Sequence, residues 1–203
     1  MDRTTDTARP VDGRTARRDR NRMAVLDAVL ELFAEGNLDP GVHEVAERSG
    51  VSLRSVYRYF EDLDELVTAA IEQHFQRTRP LFEIDRLGEG PLAERVQRFA
   101  ECRVRLFDAA RTIYRASRVR AANDPDVQRD LLATQQWLAD QTQAMFAPEL
   151  RALDEPECTD TERTLDVLTQ FDALDHLRHR CGLAHDEAVA YLQRILHRLL
   201  SPV

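Results

Sequence analysis

The sequence predicts an all-α protein with a small N-terminal and a larger C-terminal helical unit. Apolar residues recur at spacings of three and four along most of its 203 residues, and no segment alternates apolar and polar residues for long enough to make a strand. The periodic segments are separated by Gly, Pro and Asp-Pro signals, and no internal repeat is present. That length suits one sizeable core or two small ones, at roughly 100–200 residues per domain.

The first sixteen residues, rich in Thr, Asp, Arg and Pro, read as a disordered basic arm. A first domain follows over 17–76. Its first helix, from Arg17, carries Ala24, Val25, Ala28, Val29, Leu32 and Phe33 on one face and ends near Gly36. Asp39-Pro40 offers an N-cap with Pro at the first helical position, and a short helix runs through Val42, Val45 and Ala46 to Ser49. Gly50 breaks it, and Ser52 is placed to cap a third helix running through Phe60. Asp62-x-x-Glu65 resembles a capping box and opens a fourth helix to about Gln76 with Leu63, Leu66, Val67, Ala70 and Ile71.

Pro80, Gly88 and Gly90 make 78–90 the expected boundary zone. The second domain, 77–203, is then long helices: Pro91 to about Ala121, Pro125 to about Phe146 behind Asp124, Thr161 to Cys181 with Gly182 after it, and His185 to Leu200.

Composition removes several chemistries. All 28 basic residues are arginine, so a phosphate-loop lysine, a pyridoxal Schiff base and a lysine general base are excluded. The seven glycines form no dinucleotide fingerprint. Cys102, Cys158 and Cys181 make no C-x-x-C pair, which predicts free thiols in a reducing, cytoplasmic setting. No apolar run approaches the roughly 18–20 residues of a membrane span, and the polar, arginine-rich start does not read as a secretory signal. The net charge of −8 repels nucleic acid as a whole, so any contact with it must be local. Residues 1–22 hold seven Arg against four Asp, whereas residues 61–203 hold 18 Arg against 26 acidic residues.

The most specific pattern lies between Val42 and Glu61. A helix-turn-helix needs a small residue where its helices cross, a residue tolerant of positive φ four positions later, and buried aliphatics on both sides. Ala46, Gly50, Val45, Val51 and Val56 meet these needs in register. The run from Val45 through Phe60, followed by Leu66, resembles the DNA-binding domain of the tetracycline-repressor (TetR) family of transcriptional regulators. The preceding Leu32-Phe33-Ala34-Glu35-Gly36 resembles that family's first helix. The resemblance covers residues 17–76 closely and the remainder only in helix layout.

The resemblance implies a third helix lying in the DNA major groove. Ser52, Leu53, Arg54, Ser55, Tyr57, Arg58 and Tyr59 then face DNA. Arg54 is the foremost candidate for reading a guanine edge, through two bonds to O6 and N7. Arg58 suits a base or a phosphate, the tyrosines suit phosphates, and Tyr59 suits the core equally well. Arg14, Arg17, Arg18, Arg20 and Arg22 stand where family members reach the DNA backbone or minor groove, and Gly41 and Val42 stand at the start of the second helix. The sequence departs from the family there: a Thr and a Lys that commonly touch phosphate are replaced by Gly41 and Leu63, and the loop before the second helix is about one residue short. The arginine arm is positioned to compensate.

For the C-terminal domain the resemblance implies effector binding and homodimerisation. The apolar sides of the last two helices give Phe171, Leu174, Leu177, Tyr191, Ile195 and Leu199 as dimer-interface candidates. The central helices give Phe99, Cys102, Leu106, Ile113 and Tyr114, facing Trp137, Met145 and Phe146, as lining for a small apolar or aromatic effector. His176-x-x-His179-x-Cys181 has metal-ligand spacing, but flanking Arg178 and Arg180 and the want of a fourth ligand argue against a metal. No cofactor is expected.

The function that follows is sequence-specific DNA binding by a repressor that a small molecule releases from its operator, with the fourth helix as the coupling element. Two alternatives stand beside it. The C-terminal domain senses a protein partner or nothing, which a filled core would favour, or the chain is an enzyme, for which no nucleophile–base constellation is visible.

Overall fold

The computed structural model describes residues 13–201, and every described regular element is helical. The chain divides into two compact units, residues 1–73 and 74–203.

The N-terminal unit holds α1 (Gly13–Ala34), α2 (Val42–Ser49), α3 (Leu53–Tyr59) and the first half of α4 (Leu63–Phe82). Its buried residues are the ones the helical spacing selects. Val25, Leu26, Ala28, Val29, Leu32 and Phe33 line one side of α1, which packs on α2 and α3. Val45, Val56, Phe60 and Leu66 are each at most 2 % exposed. Fully burying one such aliphatic side chain stabilises a fold by about 1.5–3 kcal/mol.

The expected disordered arm over 1–16 is corrected where it is described: Gly13–Ala16 form the first turn of α1. The rest of the arm lies outside the described residues. The second helix starts two residues later than expected, because Pro40 is buried before it and Gly41 takes the N-cap position. The fourth helix runs on through Pro80 to Phe82 instead of ending near Gln76. Pro80 gives up one backbone donor near the helix end, and the continuation carries Phe82 to 1 % exposure.

The C-terminal unit is organised around α5 (Leu92–Ala121), which packs on α6 (Pro125–Leu150), α8 (Phe171–Asp175) and α9 (His185–Leu200). Asp124 caps α6 by accepting from the Asp126 and Val127 amides at 3.0 and 3.2 Å. Near its end α6 kinks at Phe146, φ −113° and ψ 17°, two residues before Pro148. Proline cannot donate to the Ala144 carbonyl, and Gly88 packs closely there: a Cβ on Gly88 would lie 2.9 Å from that oxygen. The Met145 carbonyl accepts from Arg95 Nη1 at 2.6 Å.

The single helix expected from Thr161 to Cys181 is divided. α7 (Glu157–Thr169) stops at Gln170, whose backbone is extended, α8 follows, and His176–Arg180 form a π-helical turn closed by the Cys181 amide on the His176 carbonyl at 3.0 Å. No Gly or Pro causes the break. Gln170 Nε2 donates to the Gln135 carbonyl of α6, and the turn lets Phe171 stack on Tyr114 with ring centroids 4.7 Å apart. Tertiary packing outweighs helix continuity at this point.

Two arginines are buried in this unit. Arg95 is held by the Gly90 and Met145 carbonyls and by Glu149. Arg103, 1 % exposed, pairs with no carboxylate among the described residues. Its guanidinium donates to Gln141, the Leu138 carbonyl and Thr142, and lies over the Phe99 ring at 4.7 Å. Desolvation pulls its pKa down to about 10, which still leaves it charged at neutral pH.

Candidate nucleic-acid interface

The turn between α2 and α3 is set by Gly50, whose φ of +66° lies in the left-handed region; a Cβ there would meet no atom within 4 Å, so backbone conformation alone selects glycine. Ser49 closes the turn, donating to the Ala46 carbonyl at 3.2 Å and accepting from the Val51 amide at 3.3 Å. Val45 and Val51 are buried on either side, with Ala46 half-buried between them. Arg48 ties α2 to the end of α1 through two bonds to Glu35, the residue after that helix, at 2.8 and 2.7 Å, with Glu31 of α1 3.6 Å away. The Arg48 hydrogen bond lowers the Glu35 pKa, and the same bond raises that of Arg48.

α3 turns Val56 inward, at 1 % exposure, and leaves a polar face. Ser52, Arg54, Tyr57 and Arg58 are exposed, while Leu53, Ser55 and Tyr59 are half-buried. The face therefore carries two cations and four hydroxyl side chains within one short helix and its cap, a set able to donate to base edges and phosphates. The two arginines differ. Arg54 makes no hydrogen bond or ion pair with a described residue. Arg58 folds back over the Tyr59 ring at 5.1 Å and donates to its hydroxyl at 3.1 Å. Ser52 occupies the N-cap position without capping through its side chain; it donates to Ser55 Oγ at 3.1 Å instead.

The arginines before this motif are helical and exposed. Arg14, Arg17 and Arg18 are spaced to share one face of α1, Arg22 continues it one turn later, and Arg20 points away. The Arg22 guanidinium lies 5.1 Å over the ring of Phe60, at the end of α3, so this face borders the recognition helix.

At the family's two altered positions the structure places acid. The Gly41 amide donates to Glu44 at 2.8 Å, which puts a carboxylate at the start of α2 beside half-buried Val42. Asp62 accepts from the Glu65 amide at 2.8 Å, and Glu65 accepts from the Glu61 amide, flanking half-buried Leu63 with carboxylates. These side chains hold orphan amides and favour the helix dipoles. They also stand at the two positions where the resemblance expects a phosphate contact. Glu44 was absent from the sequence-derived site, although its spacing of three from Gly41 is the signal that finds it.

The candidate residues of the C-terminal unit are scattered. Phe99, Leu106, Met145 and Phe146 are at most 1 % exposed and lie in the packed core, where Phe99 meets Phe146 edge-on at 5.1 Å. Cys102 is buried against the Leu81 carbonyl, and burial raises its thiol pKa. Trp137 is 40 % exposed and stacks on Phe82 at 5.1 Å. Of the eight, Ile113 and Tyr114 line a cavity of about 20 Å3. Of the dimer candidates, Phe171 and Leu174 are consumed by the unit's own core, while Leu177, Tyr191, Ile195 and Leu199 are half-buried. His176, His179 and Cys181 are exposed on the π turn, where His179 faces Asp175 at 3.2 Å. Among the described residues no helix is long and apolar enough to cross a membrane.

Comparison with known proteins agrees with this geometry. Residues 25–70, which span the helix-turn-helix, match the sequence model of the bacterial regulatory proteins of the tetR family. No curated protein sequence matches the chain. Among solved structures, a TetR-family transcriptional regulator from Streptomyces coelicolor is similar at 22% identity and a TM-score of 0.64, over 89% of this chain and 80% of that one. A transcriptional regulator from Rhodococcus sp. Rha1 is similar at 21% identity and a TM-score of 0.63, over 90% and 95%. A TetR/AcrR-family regulator from Thermobifida fusca is similar at 19% identity and a TM-score of 0.61, over 86% and 95%. Identities this low speak for the fold, and the match over 25–70 speaks for the family. The N-terminal unit thus belongs to the tetR family of bacterial regulatory proteins, a family of DNA-binding transcriptional regulators, and the chain carries it on the all-helical fold of TetR-family regulators.

Proposed function

We propose that this regulator is a repressor that binds a specific operator as a homodimer and leaves it when a small molecule binds the C-terminal unit. The observation that carries the DNA-reading half is the exposed face of α3, with Arg54 unengaged beside a glycine turn that fixes the helix-turn-helix. Arg54 reads a guanine, Arg58 and the tyrosines serve base or phosphate, and the Arg14, Arg17, Arg18 and Arg22 face of α1 adds sequence-blind phosphate contacts. Each neutralised phosphate contributes about 0.9 to the slope of log affinity against log salt. Dimerisation fixes the separation of two recognition helices for two half-sites. The half-buried Leu177, Tyr191, Ile195 and Leu199, together with Val167 at 66 % exposure on α7, supply apolar surface for it.

Release requires a ligand that favours one conformer; a hundredfold change takes about 2.7 kcal/mol of differential affinity. α4 is the covalent route, since its residues belong to both units. A second reading has its own support: the core at Phe99, Leu106, Met145 and Phe146 is filled, which favours a C-terminal unit that senses a protein partner or nothing.

The test is binding of the purified protein to its own promoter-region DNA and to scrambled DNA at two salt concentrations, with Arg54→Ala alongside. Specific binding lost in Arg54→Ala upholds the assignment. Weak, salt-sensitive binding that ignores sequence and the substitution, on genome-selected fragments as well, refutes it.

A further inference from the structure

The cavity between α4, α5, α6 and α8 lies wholly within the C-terminal unit, and Phe82, Ala110, Tyr114 and Phe171 of its lining belong to that unit's core. Its walls are two pairs of stacked rings. Phe75 and Phe82 stand 5.3 Å apart on the α4 side, and Tyr114 and Phe171 stand 4.7 Å apart on the other. No arginine, aspartate or glutamate lines it among the described residues. His74, at its edge, points Nε2 at the Ala109 carbonyl at 3.2 Å, and burial lowers its pKa, so the wall is neutral at neutral pH.

One polar group in this wall is unused. Ser117 is 5 % exposed and lines the cavity, yet its hydroxyl makes no hydrogen bond with a described residue. Its oxygen is not fully enclosed, so it is open to a group that enters the cavity. The neighbouring Thr78 satisfies itself on the His74 carbonyl at 2.9 Å. Its outer wall is partly open: Phe75 is 37 % exposed, and Trp137, stacked on Phe82, is 40 % exposed.

We propose that this cavity is the effector site, and that it takes an uncharged, flat, single-ring aromatic molecule carrying one hydroxyl or comparable polar group. The ring inserts between the Phe82 and Tyr114 sides, where offset stacking rewards a flat partner over a puckered one. The polar group pairs with Ser117. A charged ligand is rejected because nothing in the wall compensates its desolvation. A space of about 20 Å3 holds roughly one water, whereas a cavity that binds benzene is on the order of 150 Å3. Entry therefore displaces the exposed Phe75 ring, and Phe75 lies on α4, the helix that continues into the DNA-binding unit. The assignment rests on the effector-release reading above and names its site and ligand class.

Benzyl alcohol is the probe, with benzoate as its anionic analogue and cyclohexylmethanol as its puckered one. The chain has a single tryptophan, so fluorescence of Trp137 reports directly on the ring beside the cavity, and melting temperature gives an independent readout. Benzyl alcohol is expected to saturate both signals, cyclohexylmethanol to bind several-fold more weakly, and benzoate not to bind. Ser117→Ala, nearly isosteric, is expected to weaken benzyl alcohol about three- to tenfold, the worth of one net hydrogen bond. Ala110→Val, which fills the cavity, is expected to abolish binding in a folded protein.

No saturable response, benzoate binding equal to benzyl alcohol, or a response that Ser117→Ala leaves unchanged overturns the proposal. The two readings also fail separately. Benzyl alcohol that binds through Ser117 but leaves operator affinity unaltered upholds the site and refutes release. Benzyl alcohol that dissociates the operator complex equally in wild type and Ser117→Ala upholds release and refutes the site.

Discussion

Replacing Arg95 with Met should cost this fold far more than replacing its partner Glu149 with Gln. Arg95 joins three segments: Nε donates to the Gly90 carbonyl at 3.0 Å, Nη1 to the Met145 carbonyl at 2.6 Å and to Glu149 at 2.8 Å, and Nη2 to the other Glu149 oxygen. Side-chain exposures are 4% for Arg95 and 18% for Glu149. Arg95→Met strands a poorly hydrated carboxylate and removes the donor at the kinked end of α6, which places it among broken buried pairs at about 3–5 kcal/mol. Glu149→Gln leaves an amide oxygen for the guanidinium and both carbonyls in place, at about 1–2 kcal/mol. Arg103 supports this asymmetry, because the same unit holds a guanidinium on amide, hydroxyl and carbonyl oxygens alone. By contrast Arg118–Asp172, half exposed on both sides, is worth about 0–1 kcal/mol. Urea unfolding followed by Trp137 fluorescence monitors the C-terminal unit separately from the other, and equal slopes would license comparison of midpoints. A loss below about 1 kcal/mol for Arg95→Met, or a larger loss for Glu149→Gln than for Arg95→Met, refutes the reasoning.

Three other outcomes follow from local geometry. Gly88 and Gly182 both have left-handed φ, +76° and +69°, so Ala at either costs about 1–2 kcal/mol; Gly88→Ala should lower the melting temperature further, since only there would the Cβ meet a backbone oxygen, at 2.9 Å. The folded-state pKa of His74 lies below its ordinary 6.5, so its contribution is complete above 6.5 and is lost as pH falls through the lowered value; His74→Gln should flatten the stability–pH curve on that acid side and leave it unchanged above. Cys181 is exposed and should react first with a disulfide reagent. Cys158, its thiol raised by desolvation and by Glu162 and Glu155, should follow, and buried Cys102 should wait for unfolding, which peptide mapping of timed samples resolves.

The DNA-binding unit was legible because its signals are local. Ala46, Gly50 and Val51 fix the helix-turn-helix within a few residues of themselves, and the face of α1 buries the side chains that its spacing selects. The cavity proposed in the C-terminal unit was not legible, and the reason is tertiary. Phe99, Leu106, Met145 and Phe146 have the spacing of a lined pocket and equally that of a core, and they are core. The cavity takes Phe75, Thr78 and Phe82 from a stretch whose Pro80 reads as the approach to a linker. The break at Gln170 has no sequence mark, because its causes are the Gln135 carbonyl and the Tyr114 ring, distant in the chain. The back-folding of Arg58 is likewise a property of where Tyr59 points.

On the proposed reading of α3, that last feature gives Arg54 and Arg58 different thermal signatures in DNA binding. Arg54 is exposed and unengaged, so fixing it on DNA forfeits up to about 2 kcal/mol of rotamer entropy, a penalty that grows with temperature. Arg58 is already held on a ring and a hydroxyl, so its transfer to DNA exchanges one set of contacts for another and loses little freedom. In calorimetry, Arg54→Ala should remove favourable enthalpy together with unfavourable entropy, while Arg58→Ala should change both by less. An operator selected at higher temperature would accordingly lean on the arginine that is ordered beforehand.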